Sequence, residues 1–399
     1  MSQWRSTTLG ALCERSGGLI QTGPFGSQLH ASDYVPAGVP VVMPQNIGEN
    51  VIVAEGIARI SEADAGRLSR HLVAEGDILY SRRGDVERRA LVRAADVGSL
   101  CGTGCLLVRT RDEEVVDPPF LSYRLGAPDV REWIRNHAVG ATMPNLNTGI
   151  LSAAPITLPA VSEQRAIAEV LGALDDKIAV SERVSSTAEE LAVSLVEGFE
   201  PAWPLASFVE VLRATVDPGK LADDQVDHYS LPAFDAGRRP ERVAPETIKS
   251  SKFVVAEPSV LVSKLNPRFP RIWEIATRPA VRALASTEFV VLRPEVISTS
   301  LLWAMVSQPR FSSELESLVA GTSGSHQRVK PGQMLAVRVP DPLKIPVRTQ
   351  LEIALLSDRA RAARHERDAL VTMRDALLPA LMSGRLRVRD AETVVSDAV

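Results

Sequence analysis

Two long stretches of the chain repeat their apolar residues with helical spacing, while the segments around them alternate in the short runs typical of strands. In residues 162–200 a heptad spacing places Leu171, Leu174, Ile178, Ser181, Ser185, Ala188, Ala192 and Leu195 on one seam, with Ser162 positioned to cap the start. The small residues in the middle of that seam let a second helix approach closely. In residues 347–385, Leu356, Ala363, Leu370 and Leu377 recur at strict sevens with Met373, Ala380 and Leu381 beside them, until Pro379 and Gly384 end or kink the run. At 1.5 Å per residue such a helix is on the order of 55 Å long, more than one globular core requires. The length predicts a spacer: two helices packed antiparallel, with a domain at either end in a pseudo-two-fold arrangement. The plainer alternative is that each helix lies along its own domain.

The remaining sequence carries Val, Ile, Leu and Thr in short runs broken by Gly, Pro and Asp, which predicts mixed, strand-rich α+β domains. It also repeats itself once. WRSTTLGALCE from Trp4 matches WPLASFVEVL from Trp203, GDILYSRRG ending at Gly84 matches PSVLVSKLN ending at Asn266, and GATMPNLNTGILSAAPITLP from Gly140 matches GTSGSHQRVKPGQMLAVRVP from Gly321. The copies close on Pro159 and Pro340, and each runs into one of the predicted helices. The offset between copies falls from 199 at the tryptophans to 181 at the prolines, so the second copy is shorter in its first half, as a deletion in a surface loop would produce. The predicted order is a domain over 1–160, a spacer helix over 161–200, a second domain over 201–345, a second spacer helix over 346–386 and a tail over 387–399.

Composition changes this picture little. A chain of 399 residues, 45% hydrophobic and 24% charged, exceeds one ordinary core and lacks the signature of disorder. It has no apolar secretion segment and no run of 18 apolar residues, which predicts a cytoplasmic location and no membrane contact. Cys13, Cys101 and Cys105 suit neither a disulfide framework nor a zinc site and read as buried small hydrophobes, so no metal is predicted.

The net charge of −4 is by itself adverse to a nucleic-acid partner, but its distribution matters more than its sum. Residues 162–200 hold nine acids against three bases, a net of −6, and residues 347–385 hold seven arginines against five acids, a net of +2. The two predicted helices therefore attract each other.

EQRAIAEVLGALDDKI (163–178), directly after ITLPAVS, and LLPALMSGRLRV (377–388) resemble the two helix segments of specificity subunits from type I restriction-modification systems. RTQLEIALLSDRA (348–360) is a degenerate counterpart of the first segment, without its Glu-Gln-Arg triplet. The resemblance implies a subunit that reads a split target in double-stranded DNA, one half-site per domain, and holds two methyltransferase subunits against its helices. It places the partner contacts on Glu163, Gln164, Arg165, Ile167, Leu171, Leu174 and Ile178 of the first helix and on Leu370, Leu377 and Leu381 of the second. It also implies no catalytic site and no cofactor on this chain, with S-adenosylmethionine, ATP and Mg carried by partners, among which restriction or translocase subunits are further candidates. Two similar domains related by a pseudo-two-fold should meet DNA on one face, with half-site centres about one helical turn apart.

Holding and reading DNA needs positive charge and forked donors on loops. The first copy offers Arg82, Arg83, Arg88, Arg89 and Arg93 against Asp85 and Glu87; the second, at matching positions, offers Lys264, Asn266, Arg268, Arg271, Arg278 and Arg282 against Glu274. Any one of these arginines suits a solvated loop as well as a DNA contact, and the clustering in both copies favours DNA. A second set is the polar loop after each glycine: Thr142, Asn145 and Asn147 in the first copy, and Ser323, Ser325, His326, Gln327, Arg328 and Lys330 in the second. Amide-rich loops suit base edges and ordinary turns alike.

Two rival readings remain. Asp117-Pro118-Pro119-Phe120 matches the short motif with which amino-group DNA methyltransferases grip a flipped base. Against it, Gly23-Pro24-Phe25-Gly26 lacks the glycine spacing of a methyl-donor turn, the second copy (EVISTSLLWAM) has no equivalent, and a turn into a helix accounts for Asp-Pro-Pro. Neither a P-loop nor an HExxH motif occurs. The other alternative is a duplicated protein-binding scaffold, which would show no sequence-dependent DNA footprint even with its partners.

Overall fold

A computed structural model describes residues 4–140, 142–319 and 327–396. The chain divides into two compact units, one made of Met1–Ala179 with Arg367–Val399, the other of Val180–Glu366. Each long helix, Val161–Glu197 and Val347–Met382, contributes one part to each unit.

In the first unit the central sheet has the order Leu19–Thr22, Cys105–Arg109, Ile78–Ser81, Arg89–Leu91 and Glu49–Asn50. Successive side chains of a strand point to opposite faces. Accordingly Ile78, Tyr80, Leu106 and Val108 enter a core shared with helices Leu9–Arg15, Pro118–Leu125 and Pro128–His137. Leu79, Cys105 and Leu107 enter a second core on the opposite face. A further small sheet and the pairing of Arg5–Thr8 with Pro155–Leu158 complete the unit.

The second unit repeats this plan. Its sheet order, Val209–Leu212, Phe289–Pro294, Ser259–Ser263 and Ile272–Ile275, matches the first four strands of the other sheet one for one. Val260, Val262, Val290 and Leu292 face the helices Thr299–Val306 and Pro309–Ser317, while Leu261, Phe289 and Val291 face the opposite core with Trp273. The outer pairing recurs as Pro201–Pro204 with Arg338–Pro340. The predicted α+β class and internal duplication are thus present. The shortening of the second copy is not confined to a surface loop: helix Leu9–Arg15, whose Leu9, Leu12 and Cys13 are buried, is reduced to the single turn Leu205–Ser207.

The helix seam follows the predicted register. In the first unit Ile167, Leu171 and Leu174 share a core with Leu370, Leu377 and Leu381, and Asp175 Oδ1 accepts from Arg374 Nη1 at 3.0 Å. In the second unit Ala192 and Val196 share a core with Ile353 and Leu356, Ser181 donates to Glu366 Oε2 at 3.0 Å, and Glu189 pairs with Arg364. Partner numbers fall along one helix as they rise along the other, so the strands of this seam run antiparallel. Ser181, Ser185 and Ala188 are buried, as close helix approach requires. Pro379 sits within the second helix without ending it; Gly384, at φ 68°, does. The expected tail contains a helix, Val388–Ser396, whose Ala391 and Val395 join the first unit's core.

Candidate nucleic-acid interface

The two polar segments that the sequence offers separately in each copy are joined side by side, and in the same way in both units. In the first, strand Ile78–Ser81 runs out into Arg82-Arg83-Gly84, which pairs with Pro144-Asn145-Leu146. Leu146 N donates to Arg82 O at 2.9 Å, Gly84 N donates to Pro144 O at 3.1 Å, and Arg83 and Asn145 face each other as an antiparallel bridge. In the second, Val329 N donates to Lys264 O at 3.0 Å, Asn266 N donates to Gln327 O at 2.8 Å, and Leu265 and Arg328 form the same bridge. The strand exit is locked alike by a serine: Ser81 Oγ donates to Arg83 O at 3.0 Å and Ser263 Oγ to Leu265 O at 3.1 Å. A third segment backs each pair, since Arg82 N donates to Gly104 O and Lys264 N to Glu288 O, both at 2.8 Å.

The backbone geometry explains two residue choices. Gly84 (φ 76°) and Asn266 (φ 50°) occupy the same place in the two loops, a left-handed conformation that Gly and Asn adopt most easily. The sequence match of GDILYSRRG with PSVLVSKLN is therefore an alignment of turn geometry as well as of strand pattern. Of the candidates in the second loop, Ser323, Ser325 and His326 lie outside the described residues.

The remaining candidates separate by their contacts. Arg82, Arg83 and Arg268 form no ion pair among the described residues; Arg83, Arg268 and Thr142 are exposed, and Arg82, Asn145, Lys264 and Gln327 are half-buried. Arg88, Arg271 and Arg328 are tied at the surface to Asp85, Asp235 and Glu288, at 2.9, 2.7 and 2.9 Å. The hydrogen bond from Arg328 holds the Glu288 carboxyl below its ordinary range. Arg93, Arg278 and Arg282 likewise engage Asp176, Glu257 and Asp223.

Several expectations are corrected. Arg89 is 2% exposed, donates to Ser122 O and Glu49, and so supports the sheet instead of facing a duplex. Asn147 caps helix Thr148–Ala153 by accepting from Ile150 N at 2.8 Å, and Lys330 holds the matching cap position before Pro331–Ala336. On the helices, Ile167, Leu171, Leu174, Leu370, Leu377 and Leu381 are buried in the chain's own core, with Ile178 packed beside them, so they are not free to meet a partner. Gln164, 1% exposed, accepts from Asp117 N and donates to Pro159 O, both at 3.0 Å, locking the helix start onto the domain. Arg165 pairs with Glu114 at 2.9 Å, and Glu163 is half-buried.

The methyltransferase-like motif is accounted for structurally. Asp117 caps helix Pro118–Leu125 by accepting from Phe120 N at 2.9 Å, and Phe120 is fully buried in the core, unable to stack on a flipped base. Ser298 caps the matching helix of the second unit. Burial pushes the Cys13 and Cys101 thiols up to about 12, as for small hydrophobes, and among the described residues no cluster of His, Cys, Asp or Glu could hold a metal. No helix among them is long and apolar enough to cross a membrane.

Two like units thus each present a paired loop with arginine free of carboxylates among the described residues, Arg82 and Arg83 in the first and Arg268 in the second, an arrangement suited to nucleic acid. Residues 1–190 match the family model described as type I restriction modification DNA specificity domain. A type I restriction enzyme MjaIX specificity subunit from Methanocaldococcus jannaschii is 22% identical over 392 residues, covering 90% of this chain and 89% of that protein. A crystal structure of the S subunit of a type I restriction-modification system from M. genitalium superposes with a TM-score of 0.56 at 15% identity, covering 95% of this chain and 96% of that one. The first half carries the family's domain and the second repeats its fold and loop hydrogen bonds. Over residues 1–190 the chain is therefore a type I restriction modification DNA specificity domain.

Proposed function

We propose that each unit reads one half of an interrupted target in double-stranded DNA, with Arg83 and its paired Asn145 loop serving one half-site and Arg268 with the Lys264–Arg328 loop pair serving the other. What carries this reading is the recurrence, bond for bond, of one loop pairing at the same end of two sheets, with Arg82 and Arg83 in the first and Arg268 beside the second left without carboxylate partners among the described residues. Arginine forks suit guanine edges and phosphates, and the differing side chains on a common frame suit two different half-sites. The chain itself is read as non-catalytic: methyl transfer with S-adenosylmethionine, and any ATP- and Mg-dependent cleavage or translocation, belong to partner subunits.

The partners are proposed to be two methyltransferase subunits, with restriction or translocase subunits joining them. Because the inner seam is filled, docking falls to outward residues of the helices. Leu191, Leu351 and Leu355 are 49%, 61% and 69% exposed, and Leu191 and Leu355 line an apolar groove of about 310 Å³ with Leu195, Glu352 and Leu356. Footprinting of the assembled complex tests the reading: protection of a split sequence is expected, and the absence of any sequence-dependent footprint would return the chain to the protein-scaffold alternative.

A further inference from the structure

Of the nine phenylalanines in the chain, all of them described, only Phe25 and Phe269 are exposed, at 53% and 57%. Both stand at the loop-bearing end of their own sheet. Strands Leu19–Thr22 and Ile78–Ser81 each run antiparallel to Cys105–Arg109, so the chain leaving Thr22, the chain leaving Ser81 and the turn before Cys105 gather at one end. There Gly23 N donates to Cys105 O at 3.0 Å, Thr103 Oγ1 donates to Pro24 O at 3.1 Å, and Arg82 N reaches Gly104 O. A Cβ on Gly23 would stand 2.0 Å from Gly102 O, so the Phe25 loop is pressed onto the turn that also backs Arg82.

The two rings are exposed on backbones that are held. Phe25 N donates to Gln28 Oε1 at 3.1 Å, and Phe25 O accepts from Gln28 N and Leu29 N. Phe269 lies in the hairpin between Ser259–Ser263 and Ile272–Ile275, between Pro267 and Pro270, and its N donates to Asn266 O at 2.9 Å. The guanidinium of Arg268 stands 5.5 Å from its ring centroid. The loops carrying the two rings come from different parts of the repeat, so duplication alone does not explain why each unit presents one at the same end. A rigidly mounted apolar ring at the end of the sheet that also carries arginines without carboxylate partners suits a duplex, with the cations on phosphates and the ring against a base step.

We infer that Phe25 and Phe269 are wedges that insert between stacked base pairs, one in each half-site, and open the step from which a partner enzyme extracts the base to be methylated. The inference rests on the DNA-specificity reading above. A base amine is out of reach inside a duplex, and extrusion requires unstacking, which an inserted apolar side chain makes easier.

The assembled complex, on duplexes carrying its mapped target, tests this with 2-aminopurine placed at and beside each base to be methylated. Fluorescence should rise at one step per half-site. Phe25→Ala should abolish the rise and slow methylation by about tenfold in one half-site only, Phe269→Ala in the other only, with the recognised sequence unchanged and Phe→Trp restoring both signals. Melting of each variant checks folding, which substitution at these exposed positions should leave intact. An unaltered fluorescence rise in both alanine variants would overturn the wedge while leaving the specificity reading standing. Failure of either variant to assemble with its partners would reassign the ring to a protein contact and also overturn it. A wild-type complex without sequence-specific binding would instead refute the specificity reading itself.

Discussion

At the residue scale, the useful division is between arginines already committed within the fold and those left open. Arg268, exposed and without a carboxylate partner, should contribute to one half-site only. In competition binding by the assembled complex, Arg268→Ala should cost about 1–3 kcal/mol and relax the sequence read by one half, and equal loss in both halves would contradict the assignment. Buried Arg89 should behave differently, lowering the stability of the first unit without a specific effect on sequence choice. His71 gives a pH signature. It is fully buried and its Nε2 accepts from Arg70 Nε at 3.0 Å; burial, then the Arg70 charge, pushes its pKa below the ordinary 6.5. The folded state thus favours the neutral ring while the unfolded chain protonates near 6.5, so the unfolded state binds more protons below that value and stability falls as pH drops through it. Melting temperatures between pH 7.5 and 5.5 should decline less for His71→Gln than for the wild type; identical slopes would remove His71 as a contributor.

At the scale of elements, the helices were the most legible part of the sequence. Heptad spacing picks out Leu171, Leu174, Leu370 and Leu377, and all four are buried, because a helix seam declares itself locally in 3.5-residue steps. The heptads predict that the two helices pack on each other; the partner contacts on the same leucines come from the family resemblance, and periodicity alone cannot distinguish a seam that meets the chain's own second helix from one that meets another subunit. Leu171→Ala should therefore act on stability, by roughly 2–5 kcal/mol in denaturant unfolding of the chain alone. Gln164→Ala, leaving Asp117 N and Pro159 O without their partner, should cost about 1–3 kcal/mol in the same measurement. An effect seen only on complex assembly would contradict both. The loops were half legible. Their charge and amide content are local and visible, but the bridges from Arg83 to Asn145 and from Leu265 to Arg328 join residues about 60 apart, and no local pattern encodes them. Arg89 reads as a loop cation for the same reason: the Glu49 carboxylate and Ser122 carbonyl that hold it are distant in sequence. Phe25 has a local signal, an aromatic residue in the turn Gly23-Pro24-Phe25-Gly26, where a buried ring is not expected.

At the scale of the whole molecule, the duplication is the principal fact, since one sheet order, one serine lock and one left-handed turn position occur twice. A chain of net charge −4 whose candidate loops leave, of their arginines, only Arg82, Arg83 and Arg268 without carboxylate partners among the described residues neutralises few phosphates there. The isolated chain should bind DNA weakly and its complex tightly, with a steeper dependence on salt; nanomolar specific binding by the free chain would speak against this. The most direct test of the central claim is mapping of methylated sites in cells carrying the partner subunits with the wild-type chain, with Arg83→Ala or with Arg268→Ala. A split motif that requires the chain, and that each substitution degrades in a different half, is the predicted result. A continuous motif, or one that both substitutions degrade in the same half, would contradict it.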